Sequence, residues 1–299
     1  MNTFHFPVSG VETPLWLPAV VAFLVSMFMA PGGISGAFLL LPFQVSFLGF
    51  SGPAVSPTNL IFNIIAIPSG VIRYWKEKRM VWPLAWALLI GTLPGIFIGA
   101  ILRINYLPDP RSFKFFVGCV LVYIGSRLAW DVIRKQKKNA GPAPTSFEVK
   151  DAVLNFKEIR YSYQNETYRA PTWAVFLLSF IVGIIGGVYG IGGGAIIAPF
   201  LIAVFRFQVH SIAGASLFST LFSSVAGVIF YTLIAPMYAE TGLAVTPDWL
   251  LGSMFGVGGA AGIYVGARLQ KHFPAVVIKG IIAAALLYIS INYIAQYFI

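Results

Sequence analysis

Pro31-Gly32-Gly33-Ile34-Ser35-Gly36 interrupts an apolar run from Leu15 to Leu48, and Gly190-Ile191-Gly192-Gly193-Gly194 interrupts a second run from Thr172 to Phe205. Proline lacks a backbone N–H and glycine gains too much backbone freedom, so such clusters break a helix. Inside a bilayer, broken backbone is tolerated only where protein buries it or where it lines a wet cavity. Two breaks at matching places in two halves of a chain point to the binding site of a transporter.

The rest of the composition puts the breaks in a membrane. Of 299 residues, 58% are hydrophobic and only 10% are charged, against about 25% charged in a soluble domain. Apolar stretches recur near the roughly 20 residues needed to cross a bilayer. The fold class is an all-α polytopic membrane protein. Barrel strands would alternate apolar and polar residues with period two, and these stretches do not. The net charge of +10 sits between the apolar runs, which reads as topogenic charge attracted to anionic lipid rather than as a nucleic-acid surface. The first residues show no basic n-region or small-residue cleavage site of a signal peptide. The single cysteine, Cys119, excludes an intrachain disulfide or a cysteine metal cluster, and its apolar surroundings predict a buried thiol.

Polar composition divides the chain into residues 1–134, a polar insert at 135–171 and residues 172–299. Gly141-Pro142-Ala143-Pro144 reads as a linker. From Phe147 to Tyr163 the residues partly alternate, and Tyr161, Tyr163 and Tyr168 flank Gln164-Asn165-Glu166. That pattern fits a small β-hairpin, with a disordered linker as the other reading. The flanking regions repeat one another. Pro42 aligns with Pro199, an offset of 199 − 42 = 157, and residues 31–74 then pair with 188–231 without a gap. Gly33/Gly190, Gly36/Gly193, Leu60/Leu217, Gly70/Gly227 and Tyr74/Tyr231 are identical. After an insertion the offset becomes 167, pairing Trp82/Trp249, Gly91/Gly258, Gly95/Gly262 and Gly99/Gly266. The glycines give residues 82–102 a small face for close helix packing. The expected architecture is therefore two homologous halves, each with a Gly/Pro-broken helix hairpin plus three transmembrane helices.

Two arrangements accommodate the repeat. If each broken run crosses once, eight spans form two parallel halves. If each is a hairpin that enters and leaves by one side, the halves are inverted. Lys and Arg favour the cytoplasm. The inverted-topology repeat places loops 73–79, 134–170, 206–210 and 268–272 inside and the acidic loop 235–248 outside, and only Arg103 and Arg111 violate the rule. Loop charge thus favours inversion. A run of that length would also be about 50 Å as one helix, against a hydrocarbon core of about 30 Å.

The first turn of a helix leaves N–H groups without partners and carries partial positive charge. Helices starting near Ile34 and Ile191 would present such ends to an anion. The candidate substrate-binding residues are Gly33, Ser35, Gly36, Thr58, Asn59, Asn63, Gly192, Gly193, Gly194, Ser216 and Thr220. For any one of the polar side chains, helix packing is the competing role. Every carboxylate lies in a loop or at a span end, which argues against a proton relay built on Asp or Glu. There is no Ser/His/Asp set and no metal-ligand spacing, and the glycine-rich segments lack the lysine of a P-loop. No catalytic residue, metal or cofactor is expected. The expected partners are a small anionic substrate and the lipid bilayer, and the sequence is compatible with a homo-oligomer.

On Gly190-Ile191-Gly192-Gly193-Gly194 with Pro199, the weaker first copy ending at Pro42, the duplicated spans and the polar insert, nearly the whole chain resembles the TauE/SafE sulfite-exporter family of bacterial permeases. The resemblance implies an inner-membrane permease for sulfite, organosulfonates or related oxoanions. The first copy departs from the glycine-rich pattern at Ser35 and Ala37. An anion channel or a carboxylate carrier is the alternative within transport, and a membrane assembly factor the alternative outside it.

Overall fold

A computed structural model describes residues 3–32, 35–135, 149–163, 166–269 and 275–299. Gly33, the proposed linker at 141–144, Gln164-Asn165, Lys271 and His272 lie outside the described residues. The order is β1 (Phe4–His5), β2 (Glu12–Thr13), α1 (Trp16–Gly32), α2 (Ala37–Pro42) running into a π-helical turn (Phe43–Phe47), α3 (Val55–Ala66) and α4 (Pro68–Lys76). There follow α5 (Trp82–Asn105), α6 (Pro110–Lys135), β3 (Val149–Leu154), β4 (Glu158–Tyr163), β5 (Glu166–Pro171) and α7 (Thr172–Tyr189). The chain ends with α8 (Gly193–Phe205), α9 (Val209–Ile234) continued by a 3-10 turn to Thr241, α10 (Trp249–Leu269) and α11 (Ala275–Phe298).

Among the described residues, seven stretches are long and apolar enough to cross a membrane, with α3 and α4 together forming one of them. The protein is a polytopic α-helical membrane protein. All seven tryptophans are exposed, and most stand within a turn of a helix end, at Trp16, Trp75, Trp82, Trp173 and Trp249. A water-soluble fold would bury them, whereas a membrane protein sets them at the lipid–water boundaries.

Glycine positions set the helix pairing. A Cβ added at Gly95 or Gly99 of α5 would collide with the backbone of α7 at Phe180 and Ile184, and one at Gly91 would strike Ser179 Cβ and lie 3.2 Å from Phe176 O. Gly258, Gly262 and Gly266 of α10 meet Ala19, Phe23 and Met27 of α1 in the same way. Residue number rises on both helices of each pair, so each pair runs parallel. The contacted residues Ala19, Phe23 and Met27 differ from Phe176, Phe180 and Ile184 by 157 throughout. Close approach of backbones through glycine is how apolar helices associate without a hydrophobic drive between them.

Two other contacts run the opposite way. Gly118 of α6 faces Ser290 and Tyr293 of α11, whereas Gly125 faces Leu286 and Leu287, so these helices are antiparallel. Leu60 lies on Gly227, and Leu217 on Gly70, so α3–α4 and α9 are antiparallel and their contact is reciprocal. Eight single crossings in two parallel halves would make both pairs parallel, so that arrangement is excluded. Both broken runs also double back. Gly193 sits beside Gly183, with a Cβ at 3.4 Å from its Cα, and Gly36 sits beside Ser26, at 3.6 Å from its Cα. In a continuous helix, ten residues would separate these pairs by about 15 Å.

Both exceptions to the loop-charge rule have structural work. Arg103 is fully buried; it donates to the carbonyls of Leu107, Ser51 (2.7 Å) and Gly52 (2.9 Å) and stacks on the Phe113 ring. Arg111 caps the end of α11, its Nε donating to Tyr297 O at 3.0 Å.

The insert forms a three-stranded antiparallel sheet in the order β3-β4-β5, one strand more than the expected hairpin. On β4, Ile159, Tyr161 and Tyr163 alternate with partly exposed residues and are buried. Tyr161 hydrogen-bonds Ser211 at 2.8 Å and meets Phe207 edge-on. The Val149 N–H donates to Lys78 O. The sheet thus touches both the α4–α5 and the α8–α9 connections. Cys119, expected to be buried, is exposed: its neighbour Gly118 is the residue turned towards α11, which leaves Cys119 on another face of α6.

Candidate functional site

The second break is shaped by two glycines with left-handed φ, Gly190 at +80° and Gly192 at +77°. Gly190 is required twice over, because a Cβ there would also strike the backbone of Ser56. Its own N–H and that of Ile191 both donate to Gly186 O, at 2.8 and 3.1 Å. The chain then turns through Gly192 and starts α8 at Gly193. The first break enters α2 through Ser35, whose Oγ accepts from the Ala37 N–H at 3.3 Å.

Two asparagines one helical turn apart on α3 join the breaks. Asn59 Nδ2 donates to Gly190 O (3.0 Å) and to Ala37 O (3.3 Å). Asn63 Nδ2 donates to Ile191 O (2.6 Å) and Ser224 Oγ (3.3 Å), and its Oδ1 accepts from Ser35 Oγ at 3.5 Å. These donors fix the orientation of both amides. Asn59 Oδ1 is left to accept from Gln44 Nε2 at 3.2 Å.

Other donors serve the remaining carbonyls of the second break. Ser56 Oγ donates to Val188 O at 2.8 Å and Tyr231 Oη to Gly187 O at 3.2 Å. Gly186, Gly187, Val188, Gly190 and Ile191 therefore each already accept a hydrogen bond from the protein. What the break still has to offer is N–H groups, since the first turn of α8 has no carbonyl before it to bond.

Hydroxyls crowd that turn. A Cβ at Gly192 would lie 2.8 Å from Ser224 Oγ and 3.2 Å from Ser223 Oγ; one at Gly194 would lie 2.6 Å from Thr220 Oγ1. Gly193 faces the Thr92 methyl, and the Thr92 hydroxyl lies 3.4 Å from Ser219 Oγ. Thr220 is about midway along α9, so this cluster lies deep in the helical bundle. Ser216 packs its carbonyl against Gly194, and its buried Oγ has no partner among the described residues.

The structure thus brings Ser35, Gly36, Asn59, Asn63, Gly192, Gly193, Gly194, Ser216 and Thr220 around the two breaks. Thr58 stands apart: its Oγ1 donates to Ala54 O (2.7 Å) and accepts from the Asp248 N–H (2.9 Å), tying α3 to the start of α10. Asp248 is buried as an N-cap, accepting from Leu251 N and from Ser9. The sequence-based set missed Thr92, Ser224, Gln44, Tyr231 and Ser26. Ser26 is the one hydroxyl among the apolar residues of α1; it is buried opposite Gly36, and its Oγ has no partner among the described residues. That isolation was a usable signal. Among the described residues no group of His, Cys, Asp and Glu is arranged to hold a metal ion.

Comparison with known proteins agrees with this architecture. The chain is 25% identical over 71% of its length, and 71% of the relative's, to a probable membrane transporter protein, YunE, of Bacillus subtilis. It is 22% identical to a second B. subtilis probable membrane transporter protein, YjnA, covering 85% of this chain and 90% of that one. A probable membrane transporter protein of Sinorhizobium fredii, y4hK, is likewise 22% identical over 84% and 87% of the two chains. No solved structure matches the chain. The sulfite exporter TauE/SafE model matches residues 18–293, and with a glycine-broken helix pair at its centre, the chain belongs to that family of membrane transporters.

Proposed function

We propose that this protein is a permease of the bacterial inner membrane that carries a small sulfur-containing anion, such as sulfite or an organosulfonate, through a site at the two broken helices. The observation that carries the reading is the occupation of the break carbonyls. A cation site made of backbone carbonyls needs their lone pairs turned inward, yet Gly186, Gly187, Val188, Gly190 and Ile191 each already accept from a protein donor, namely Gly190 and Ile191, Tyr231, Ser56, Asn59 and Asn63 in turn. Among the described residues no side chain caps the start of α8, whose first-turn N–H groups and positive dipole end favour an anion. Among the described residues, Ser224 Oγ accepts from Asn63 and keeps its own O–H to donate, and Ser216 Oγ has no partner, whereas the Thr220 and Ser223 hydroxyls donate to Ser216 O (2.8 Å) and Thr220 O (3.2 Å).

We further propose that the halves are inverted repeats related by a pseudo-two-fold axis. The reciprocal contact of Leu60 with Gly227 and Leu217 with Gly70 supports this. So do the two glycine ladders whose contacted residues keep one offset. An inverted pair would let the two halves alternate access to a shared site by exchanging conformations.

The test is uptake into proteoliposomes of sulfite, a sulfonate, thiosulfate and acetate by the purified protein and by Ser224→Ala. Alanine removes the hydroxyl next to Gly192. A hydrogen bond to a charged group contributes about 1.5–3 kcal/mol, so uptake of the sulfur anion should fall about tenfold or more with an unchanged elution profile. Uptake of acetate alone, or of none of the sulfur anions, overturns the proposal.

A further inference from the structure

The polar insert carries an apolar tip that its fold does not bury. The β3–β4 turn is held to the membrane domain from both ends: Asn155 O accepts from Thr172 Oγ1 at 2.6 Å and Lys157 O accepts from the Thr172 N–H at 3.2 Å. Thr172 is the first residue of α7. Phe156, between these two anchors, is fully exposed at 101%, and Leu154 and Val153 before it are about 40% exposed.

A lone exposed Phe is ordinary on a protein surface, so its level relative to the bilayer decides the matter. Parallel α5 and α7 are in register with Gly91 against Phe176 and Ser179, which puts Thr172 level with Trp86. That is about 6 Å inward from Trp82, the first residue of α5. On α7, Trp173, Leu177 and Ile181 are exposed at four-residue spacing, a stripe that faces lipid. The turn bearing Phe156, bonded to Thr172 on both sides, therefore sits beside Trp173 at the edge of a lipid-facing stripe. The sheet mixes Lys150, Lys157, Arg160 and Arg169 with Asp151, Glu158 and Glu166, a net charge of only 4 − 3 = +1, so charge contributes little to drawing it to the surface.

We infer that residues 153–156 form an interfacial anchor that seats the sheet in the lipid headgroup region of the same leaflet as the start of α7. Trp173 and Phe156 continue one apolar surface from helix to insert, and lipid is the partner already in contact with the helix part of it. The anchored sheet also touches both the α4–α5 and α8–α9 connections, through Val149 with Lys78 and Tyr161 with Phe207. Lipid thereby holds the cap that joins the two halves at this face.

The test is site-directed spin labelling of the full chain in phosphatidylcholine nanodiscs, in a Cys119→Ser background. Labels go on Phe156→Cys and, as a second reporter in the same tip, Leu154→Cys. Leu177→Cys on α7 serves as the lipid reference and Glu166→Cys at the exposed start of β5 as the aqueous one. The expected result is a ratio of oxygen to nickel-chelate collision several-fold higher at 156 than at 166, approaching that at 177. A tip as open to the chelate as residue 166 overturns the inference, whatever the protein transports.

Discussion

Asn63 shows how much of the site rests on single side chains. Its amide holds Ile191 O, Ser224 and Ser35 at once, so one residue of α3 links two breaks and α9. Asn63→Ala would leave a buried carbonyl and a hydroxyl short of a donor, at a cost of about 1–3 kcal/mol for each group stranded. The expected outcome is a lower thermal midpoint in detergent together with lost uptake; an unchanged midpoint would mean that the link is not structural. Asn59 and Asn63 were legible in the sequence as polar residues next to the breaks, but their use was not. They stood out as candidate ligands, whereas most of their donor capacity goes to break carbonyls. Composition and spacing show that an amide is present. Only neighbours in three dimensions show which of its atoms remain free.

The glycine ladders decide how the helices meet. The spacing of Gly91, Gly95 and Gly99 announces a small face without naming the surface that it meets. That surface is α7, the first helix of the other half, as α1 is for the α10 ladder. A Cβ at Gly95 meets backbone atoms of Phe180, Gly183 and Ile184, which cannot step aside as a side chain tip can. Gly95→Ala should therefore sharply reduce the monodisperse fraction on size-exclusion chromatography. Ile98→Ala, at a position 40% exposed on the same helix, should leave it nearly unchanged. Equal profiles for both variants would contradict the close α5–α7 contact. The insert teaches a related lesson. The alternation at Ile159, Tyr161 and Tyr163 is a strand signal that needs a covered face, and over Tyr161 the cover is Phe207 and Ser211, far away in sequence.

At the scale of the molecule, the inverted arrangement predicts which loops share a side. In a Cys119→Ser background, Glu240→Cys should react with an impermeant maleimide on intact cells. Arg206→Cys should react only after permeabilisation. Labelling of both from one side would break the inversion. By itself the sequence determined the membrane class, the two breaks, the polar insert and the pairing of residues at offsets 157 and 167. These are properties of composition and local spacing, which fix where a helix can form and where it must stop. The tertiary structure alone decided that each broken run doubles back, that α6 and α11 oppose each other, and that each half packs its glycine face on the other half's first helix. It also decided that the carbonyls of Gly186, Gly187, Val188, Gly190 and Ile191 accept hydrogen bonds from the protein. Helix direction and partner depend on contacts between segments that lie from 85 residues apart (Gly95 with Phe180) to 239 (Gly258 with Ala19), and no period within a segment encodes them.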